Sequence, residues 1–489
     1  MKIGSFAFPN LFKTNSLVKN SFWSLGSGMV DRFSALLALV ILARLMDKEN
    51  YGVFIFIITT LNLLANTIIS GPANIFISEV SRNRKNESRK IPGLLAVGIF
   101  WCLIVGFVII LATLFFNRQV ALFLDPGHRI SANVIKIIGP WAGLITLSAV
   151  FSAVIQGYEL FDRTFFAYLG KAFANIGLCV SLVIFYGLWG AIAAYVLTAF
   201  IFLVLLWRIS DHQVKWHFSD GIALIKTDKE YISRVVRLSL PLILLSLVQM
   251  GADWGGQFLL AKGGKQWAAV ADLGVARQIA FILPVLSSSV ASAGLPHFSK
   301  KSNDGADIYF QSVVNYIRTS WFMQIPLGAV LICIAPFVVT IIYGKEMASA
   351  SGICRILVIS YTIFGLTGTI GPVLTSRGKT RLLLLFQVIR ASSILLFCFL
   401  FLALEGYGIA LGYLAGESIL LIVAVLTYFR YVKNIIHEVV PQVVQLIPVL
   451  IAATASFFTG PWIALLILMA AICVEGFIFK DLIYKIIKK

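Results

Sequence analysis

Residues 162–195 read DRTFFAYLGKAFANIGLCVSLVIFYGLWGAIAAY, and residues 380–413 read TRLLLLFQVIRASSILLFCFLFLALEGYGIALGY. The two stretches align at an offset of 218 residues, which places identical residues on one another: Arg163 on Arg381, Gly190 on Gly408 and Tyr195 on Tyr413. A repeat this long indicates a duplicated lobe rather than a solenoid unit. The duplication therefore decides the architecture.

The repeat carries charge with it. Each copy has one cation inside apolar sequence, Lys171 in the first and Arg390 in the second, 219 residues apart. Further upstream, Asp31 and Asp253 align at a spacing of 222 residues, about one helical turn more than the repeat. Both lobes are thus predicted to hold ionisable groups at matching depth.

Composition sets the class of protein. The 489 residues are 59% hydrophobic and 13% charged, with a mean hydropathy of +0.92, far beyond a soluble domain. The net charge of +18 is scattered among hydrophobic segments, which favours positive-inside loops over a nucleic-acid surface. The six cysteines include no C-x-x-C pair, so neither a disulfide framework, a zinc site nor another cofactor is expected.

The hydrophobic pattern predicts an all-α polytopic membrane protein with fourteen spans, each near the ~20 residues that cross the hydrocarbon. They are placed at 20–45, 52–78, 92–116, 134–157, 164–186, 187–208, 238–262, 267–298, 316–342, 353–376, 382–404, 408–430, 443–459 and 463–480. A division at 186–187 separates two of these spans without a loop, and the last two spans form a hairpin.

These spans define five regions: a cytoplasmic interfacial arm (1–19), an N-lobe (20–208), a cytoplasmic linker (209–237), a C-lobe (238–430), and a C-terminal helical pair with a cytoplasmic tail (431–489). An even number of spans puts both termini on one side. That side holds 27 lysines and arginines against 8 on the other, which predicts cytoplasmic termini. Six spans separate equivalent points of the two lobes, so the lobes run the same way through the membrane and a substrate cleft is expected between them.

Charges inside hydrocarbon are expensive and usually face water or a protein interior. Lys171 and Arg390 are interpreted as a shared cationic site lining the cleft, although either side chain alone could snorkel to the headgroups. Arg277 is either a ligand contact or the counter-ion of Asp253. Arg32 lies near the middle of span 1 and is a further candidate contact.

The acidic residues of the spans leave two interpretations open. Asp31 and Asp253 are either two proton or sodium sites or two structural ion pairs. Glu417 in span 12 is a third candidate for ion coupling. The chain has no GxxxxGK[ST] and no H-E-x-x-H motif, so a built-in ATPase or zinc enzyme is not expected.

The opening FWSLGSGMVDRFSALLALVILARLMDKENYGVF (residues 22–54) is similar to that of polysaccharide-biosynthesis flippases, with a helix ending in Ala-Arg-Leu before a Tyr-Gly. Further likeness appears at Gly71–Ala73, Gln156–Gly157, Leu240–Pro241 and Tyr343–Gly344, and it covers essentially the whole chain. The chain departs from the family's pattern at two places in span 8. The family's Tyr-x-x-Ala reads Asp272-Leu273-Gly274 here, and Arg277 stands at a position where lysine is common in the family.

The resemblance implies the O-antigen-unit type of the multidrug/oligosaccharidyl-lipid/polysaccharide exporter superfamily. Such a protein, not an enzyme, moves an undecaprenyl-pyrophosphate-linked oligosaccharide across the bacterial inner membrane for lipopolysaccharide or a related surface polymer. Its implied partners are that glycan, membrane lipids and other polysaccharide-assembly proteins. The alternatives are a cation-coupled multidrug exporter of the same superfamily, which a cationic cavity disfavours, and a polymerase or ligase, which the short outer loops disfavour.

Overall fold

A computed structural model describes residues 16–86, 90–285 apart from 126, 128, 216 and 265–266, 306–374 apart from 370 and 372, and 380–431. Every regular element in these residues is a helix. Ten of the described helical segments are long and apolar enough to cross a membrane. The predicted all-α fold class is confirmed, and the chain is a multi-pass membrane protein.

The thirteen described α-helices are α1 (Ser16–Leu45), α2 (Lys48–Asn86), α3 (Lys90–Phe115), α4 (Asn117–Leu124), α5 (Ala132–Gly157), α6 (Phe161–Gln213), α7 (Phe218–Thr227), α8 (Lys229–Gly264), α9 (Trp267–Ala280), α10 (Ala306–Tyr343), α11 (Ala350–Gly368), α12 (Thr380–Leu400) and α13 (Glu405–Tyr431). Each of the first twelve predicted spans coincides at least in part with one of them. The predicted spans at 443–459 and 463–480 lie outside the described residues.

The chain divides into two compact units, Met1–Met250 and Gly251–Lys489. The division falls inside α8, later than the predicted start of the C-lobe at residue 238. Residues 209–237, predicted to be a linker, contain the short helix α7 and the first turns of α8.

In the first unit, α1 packs along α6, and α5 packs against α2, α3 and α6. Glycines allow α3 and α5 to approach α2 closely. A Cβ on Gly98 of α3 would collide with Phe76 of α2, and one on Gly157 of α5 would meet Val80 of α2 at 2.6 Å. Their neighbours form a continuous apolar core. Its members include Phe76, Val80, Leu94, Leu95, Val150, Phe151 and Val154.

In the second unit, α13 packs against α11 and α12, and α11 also packs against α9 and α10. Gly412 and Gly416 bring α13 into backbone contact with α12, because a Cβ at either position would overlap Cys398 or Ile394. The glycine-containing face of α13 thus packs on α12, and other faces of α13 contact α9 and α11.

The duplication is visible in the backbone at one turn. Gly187 breaks α6 with φ 52° and ψ −127°, and Glu405, 218 residues later, has φ 52° and ψ −128°. Three residues on, Gly190 and Gly408 leave no room for a Cβ, which would strike the carbonyl of Leu182 or of Phe401. Both units therefore make the same tight helix-to-helix turn, and the predicted division at 186–187 is confirmed.

This turn predicts a stabilising substitution. The left-handed conformation at residue 405 favours glycine and strains a residue with a Cβ, at a cost on the order of 1–3 kcal/mol. We expect Glu405→Gly to raise the melting temperature of the purified protein, and Gly187→Ala to lower it.

Two control variants separate the backbone effect from other causes. Glu405→Ala removes the charge but keeps the strain, so it should not stabilise. Gly177→Ala, in ordinary helix with open space around the added Cβ, should raise stability slightly, by about 0.5–1 kcal/mol, because alanine favours the helix, in contrast to Gly187→Ala. Equal stabilisation by Glu405→Ala and Glu405→Gly would assign the effect to the carboxylate instead.

Candidate functional site

An ion pair joins α1 and α6 of the first unit. Because α1 packs along α6, Lys171 Nζ lies 2.7 Å from Asp31 Oδ1 and donates a hydrogen bond to it. The ammonium also lies 4.8 Å from the ring centroid of Phe202 and 5.5 Å from that of Tyr168. The two ionic side chains are 28% and 35% exposed, so the pair remains accessible.

Arg32 follows Asp31 on α1 but points elsewhere, as neighbouring helical residues do. Its side chain is exposed, and it makes no ion pair within the described part of the chain. Unlike Lys171, it has no carboxylate as an ion-pair partner among the described residues.

Arg277 is the centre of a polar cluster in the second unit. Its Nη2 lies 3.0 Å from Asp253 Oδ1, its Nε donates to the hydroxyl of Tyr361 at 3.0 Å, and its Nη2 also donates to Tyr413. The Tyr413 hydroxyl in turn donates to Asp253 Oδ1 at 3.1 Å. Side chains from α8, α9, α11 and α13 meet here, with Arg277 18% and Asp253 25% exposed.

A second ion pair lies deeper in the same unit. Arg390 Nε donates to Glu417 Oε1 at 2.6 Å, and their side chains are only 3% and 0% exposed. The guanidinium also lies 4.8 Å from the ring centroid of Phe364. Asp253 is near enough to act electrostatically on both members. Among the described residues, Arg390 Nη1 and Glu417 Oε2 are buried without a hydrogen-bond partner.

The contacts show which of the predicted site residues pair with one another. Asp31 pairs with Lys171, whereas its repeat equivalent Asp253 pairs with Arg277. Arg390, the equivalent of Lys171, pairs with Glu417 instead. In each of these three pairs one carboxylate compensates one cation, so Lys171, Arg277 and Arg390 are compensated within their own unit, whereas Arg32 has no such carboxylate in the part of the chain that the structure describes.

The sequence does not identify the tyrosines around Arg277 as site residues. The repeat marks Tyr413 only as the equivalent of Tyr195, which is half-buried and packs edge-on against Phe54 and Trp141 in the first unit. Repetition identified the position, but its role as a ligand of Arg277 depends on helix rotation, which no spacing reveals. No motif or repeat in the sequence indicates Tyr361.

Within the described residues, no group of three or more His, Cys, Asp and Glu side chains is arranged to hold a metal ion. The three ion pairs and the side chains around them offer charge, hydrogen bonds and aromatic faces. Chemically, they can exchange ionic partners and bind an anion or a cation.

Comparison with solved structures identifies the fold. An inward closed structure of the lipid II flippase MurJ is 17% identical with a TM-score of 0.71, covering 95% of this chain and all of that one. An inward-facing multidrug resistance MATE family transporter of the MOP superfamily is 15% identical with a TM-score of 0.68, covering 84% of this chain and 98% of that one.

A third structure is a MOP superfamily transporter from Pyrococcus furiosus with a binding pocket of reverse polarity. It is 16% identical with a TM-score of 0.61 and covers 86% of this chain and 96% of that one. A search of curated proteins found no match. The family model described as polysaccharide biosynthesis protein matches residues 41–351, well over half of the sequence. The chain therefore belongs to the polysaccharide biosynthesis protein family, and its fold is that of the MOP superfamily transporters.

Proposed function

We propose that this chain is a flippase that carries an undecaprenyl-pyrophosphate-linked oligosaccharide from the inner to the outer leaflet of a bacterial inner membrane. The observation that carries the proposal is the presence of partly exposed ion pairs inside apolar helices of a chain from a polysaccharide biosynthesis family. Intramembrane ionic groups mark substrate and ion pathways. The cargo would serve O-antigen or a related surface polymer.

Lys171 and Arg277 are the cations offered to the cargo. Both are partly exposed, whereas Arg390 is buried against Glu417 and serves in our proposal to hold α12 and α13 in place. Arginine supplies a planar fork for phosphate oxygens and lysine a point charge. Arg32, which has no described acidic partner, adds a further contact on the first unit.

The carboxylates give this arrangement a means of coupling. While no cargo is bound, Asp31 and Asp253 compensate Lys171 and Arg277, so that neither cation is left uncompensated in a low-dielectric environment. When the diphosphate of the cargo pairs with Lys171 or Arg277, the aspartate that was paired with that cation loses its partner. That carboxylate must then acquire another positive charge, a proton or a sodium ion, which ties cargo binding to ion uptake during alternating access.

The predicted cytoplasmic termini remain part of the proposal. With them, the cargo is loaded from the side on which it is assembled and released on the other, and no covalent step is required of the chain. Other polysaccharide-assembly membrane proteins would supply and consume the cargo.

Deletion of the gene is the test. We expect lipid-linked repeat units to accumulate with their glycans facing the cytoplasm, measured by glycosidase accessibility in inverted and right-side-out vesicles. Reintroducing the parent gene should restore outer-leaflet units.

Two outcomes contradict the proposal. Outer-leaflet units at the parental level, but unpolymerised, would indicate a polymerase or ligase. Normal surface polysaccharide together with increased drug sensitivity would indicate a multidrug exporter.

A further inference from the structure

A cavity of about 630 Å³ lies in the first unit, away from the Asp31–Lys171 pair. It is bounded by the end of α2, the beginning of α3 and the first turns of α8. Its volume falls in the range of small-molecule sites, roughly 300–1,000 Å³. Its charged lining is mostly basic: Arg82, Lys90, Arg234 and Arg237 against Asp228 and Glu230.

Two of the four cations are already neutralised. Lys90 Nζ donates to Asp228 Oδ2 at 3.1 Å, and Arg234 Nη2 lies 3.3 Å from Glu79 Oε1. The hydrogen bond from Lys90 lowers the pKa of the Asp228 carboxyl below its ordinary value, so this acid stays ionised and keeps its cation.

Arg82 and Arg237 differ from these two cations. Both are exposed, and neither forms an ion pair with a residue that the structure describes. They are the positive charge that the cavity offers to a ligand.

The floor of the cavity is a fixed aromatic ring. Tyr231 is buried, its hydroxyl accepts a hydrogen bond from Asn83 Nδ2 at 3.0 Å, and its backbone N–H donates to Asp228. Lys90 Nζ and the Arg234 guanidinium each lie 5.3 Å from the ring centroid. These contacts fix the orientation of the ring relative to the cations beside it.

An apolar stripe leads away from the cavity along α8. Arg237 is followed by Leu240, Leu244 and Leu247, at the spacings of three and four that place residues on one helical face. All three leucines are exposed, between 44% and 55%. A ligand with phosphate oxygens at Arg237 and a hydrocarbon chain would fit both parts of this surface.

The neighbouring helix α7 is amphipathic. It packs on the beginning of α3, where a Cβ on Gly93 or Gly221 would clash with the opposite helix. Leu224 is buried in this contact, whereas Ile222 and Ile225 are exposed. Such an amphipathic helix is typical of the membrane interface.

We infer that this cavity, the α2–α8 cavity, binds the phosphate headgroup of an anionic phospholipid, with Arg82 and Arg237 as its ligands and the leucine stripe of α8 as the track for an acyl chain. Basic pockets between membrane helices bind such headgroups. In the proposed orientation the lipid comes from the cytoplasmic leaflet.

The experiment measures lipid binding to the purified full-length protein by native mass spectrometry and by thermal shift. Phosphatidylglycerol is compared with phosphatidylcholine, inorganic pyrophosphate and undecaprenyl phosphate. We expect phosphatidylglycerol to bind at least about tenfold more tightly than phosphatidylcholine, and the Arg82→Gln, Arg237→Gln double variant to lose that preference. The control pair Arg208→Gln, Lys215→Gln removes two exposed cations, one near the end of α6 and one just after it, that do not line the cavity, and it should keep the preference.

Three results would overturn the inference. The parent protein could bind both phospholipids equally, a result that does not depend on any variant folding. The double variant, with an elution profile like the parent's, could keep the preference. Pyrophosphate or undecaprenyl phosphate could displace phosphatidylglycerol at equal concentration, which would assign the cavity to a soluble anion or to the cargo.

Discussion

Replacing Glu417 with alanine is expected to lower the free energy of unfolding by about 3–5 kcal/mol, because it leaves a buried guanidinium without its carboxylate. Arg390 and Glu417 are almost fully buried, with a 2.6 Å hydrogen bond between them. Asp253 compensates part of the charge, but its oxygens already serve Arg277 and Tyr413. Thermal unfolding of purified protein in detergent, with abundance in the membrane, measures the loss.

A double replacement distinguishes the charge from the packing. Arg390→Met with Glu417→Leu removes both ionic groups, and a buried pair replaced by apolar residues of similar size is often tolerated. We expect it to recover most of the lost stability. The neighbouring Ser418→Ala serves as a control for mutation of α13. If Glu417→Ala alone were as stable as the parent, the pair would not hold α12 and α13 together.

Reversing the charge at Lys171 is expected to abolish export. Lys171→Glu would place a second carboxylate beside Asp31 and remove the cation proposed to bind the cargo. Losing the charge pair that Lys171 is proposed to form with the enclosed diphosphate costs about 2 kcal/mol or more, and 2 kcal/mol corresponds to roughly a thirtyfold lower rate. Surface polysaccharide in a complemented deletion strain, normalised to protein abundance, measures the effect. Lys171→Arg should keep part of the activity.

A charge swap then separates binding from structural support. Asp31→Lys with Lys171→Asp re-forms an ion pair between α1 and α6, but it moves the cation from one helix to the other. We expect the swap to restore protein abundance and thermal stability but not export. Full export by the swapped protein would make the pair structural and would remove Lys171 from the proposed cargo site.

The helices and their duplication could be predicted from the sequence because both depend on local composition. Apolar runs of about 20 residues mark membrane helices wherever they pack, and the same length divides the run at 164–208 into two spans at 186–187. The predicted boundary of the lobes was less secure, since α8 continues across residue 238 without interruption.

The partners of the charged residues could not be predicted, because they depend on how each helix is rotated. Lys171 and Arg390 occupy matching places in the two copies, yet one lies beside Asp31 and the other beside Glu417. Their spacing differs from the repeat by one residue, and one residue on a helix turns a side chain by about 100°. Equal depth in the sequence therefore gave no information on which cation is buried.

The tight turn shared by Gly187 and Glu405 bears on how the chain is inserted during synthesis. The halves of α6 have no loop between them, and α12 and α13 are separated by one short turn, Leu402–Leu404. Because no polar loop separates the two helices of such a pair, the first helix cannot enter the bilayer from the translocon before the second one follows. Each pair is therefore expected to leave the translocon as a hairpin. The tips carry no lysine or arginine, and their exposed Tyr186, Trp189 and Tyr407 are suited to anchoring in the headgroups on arrival.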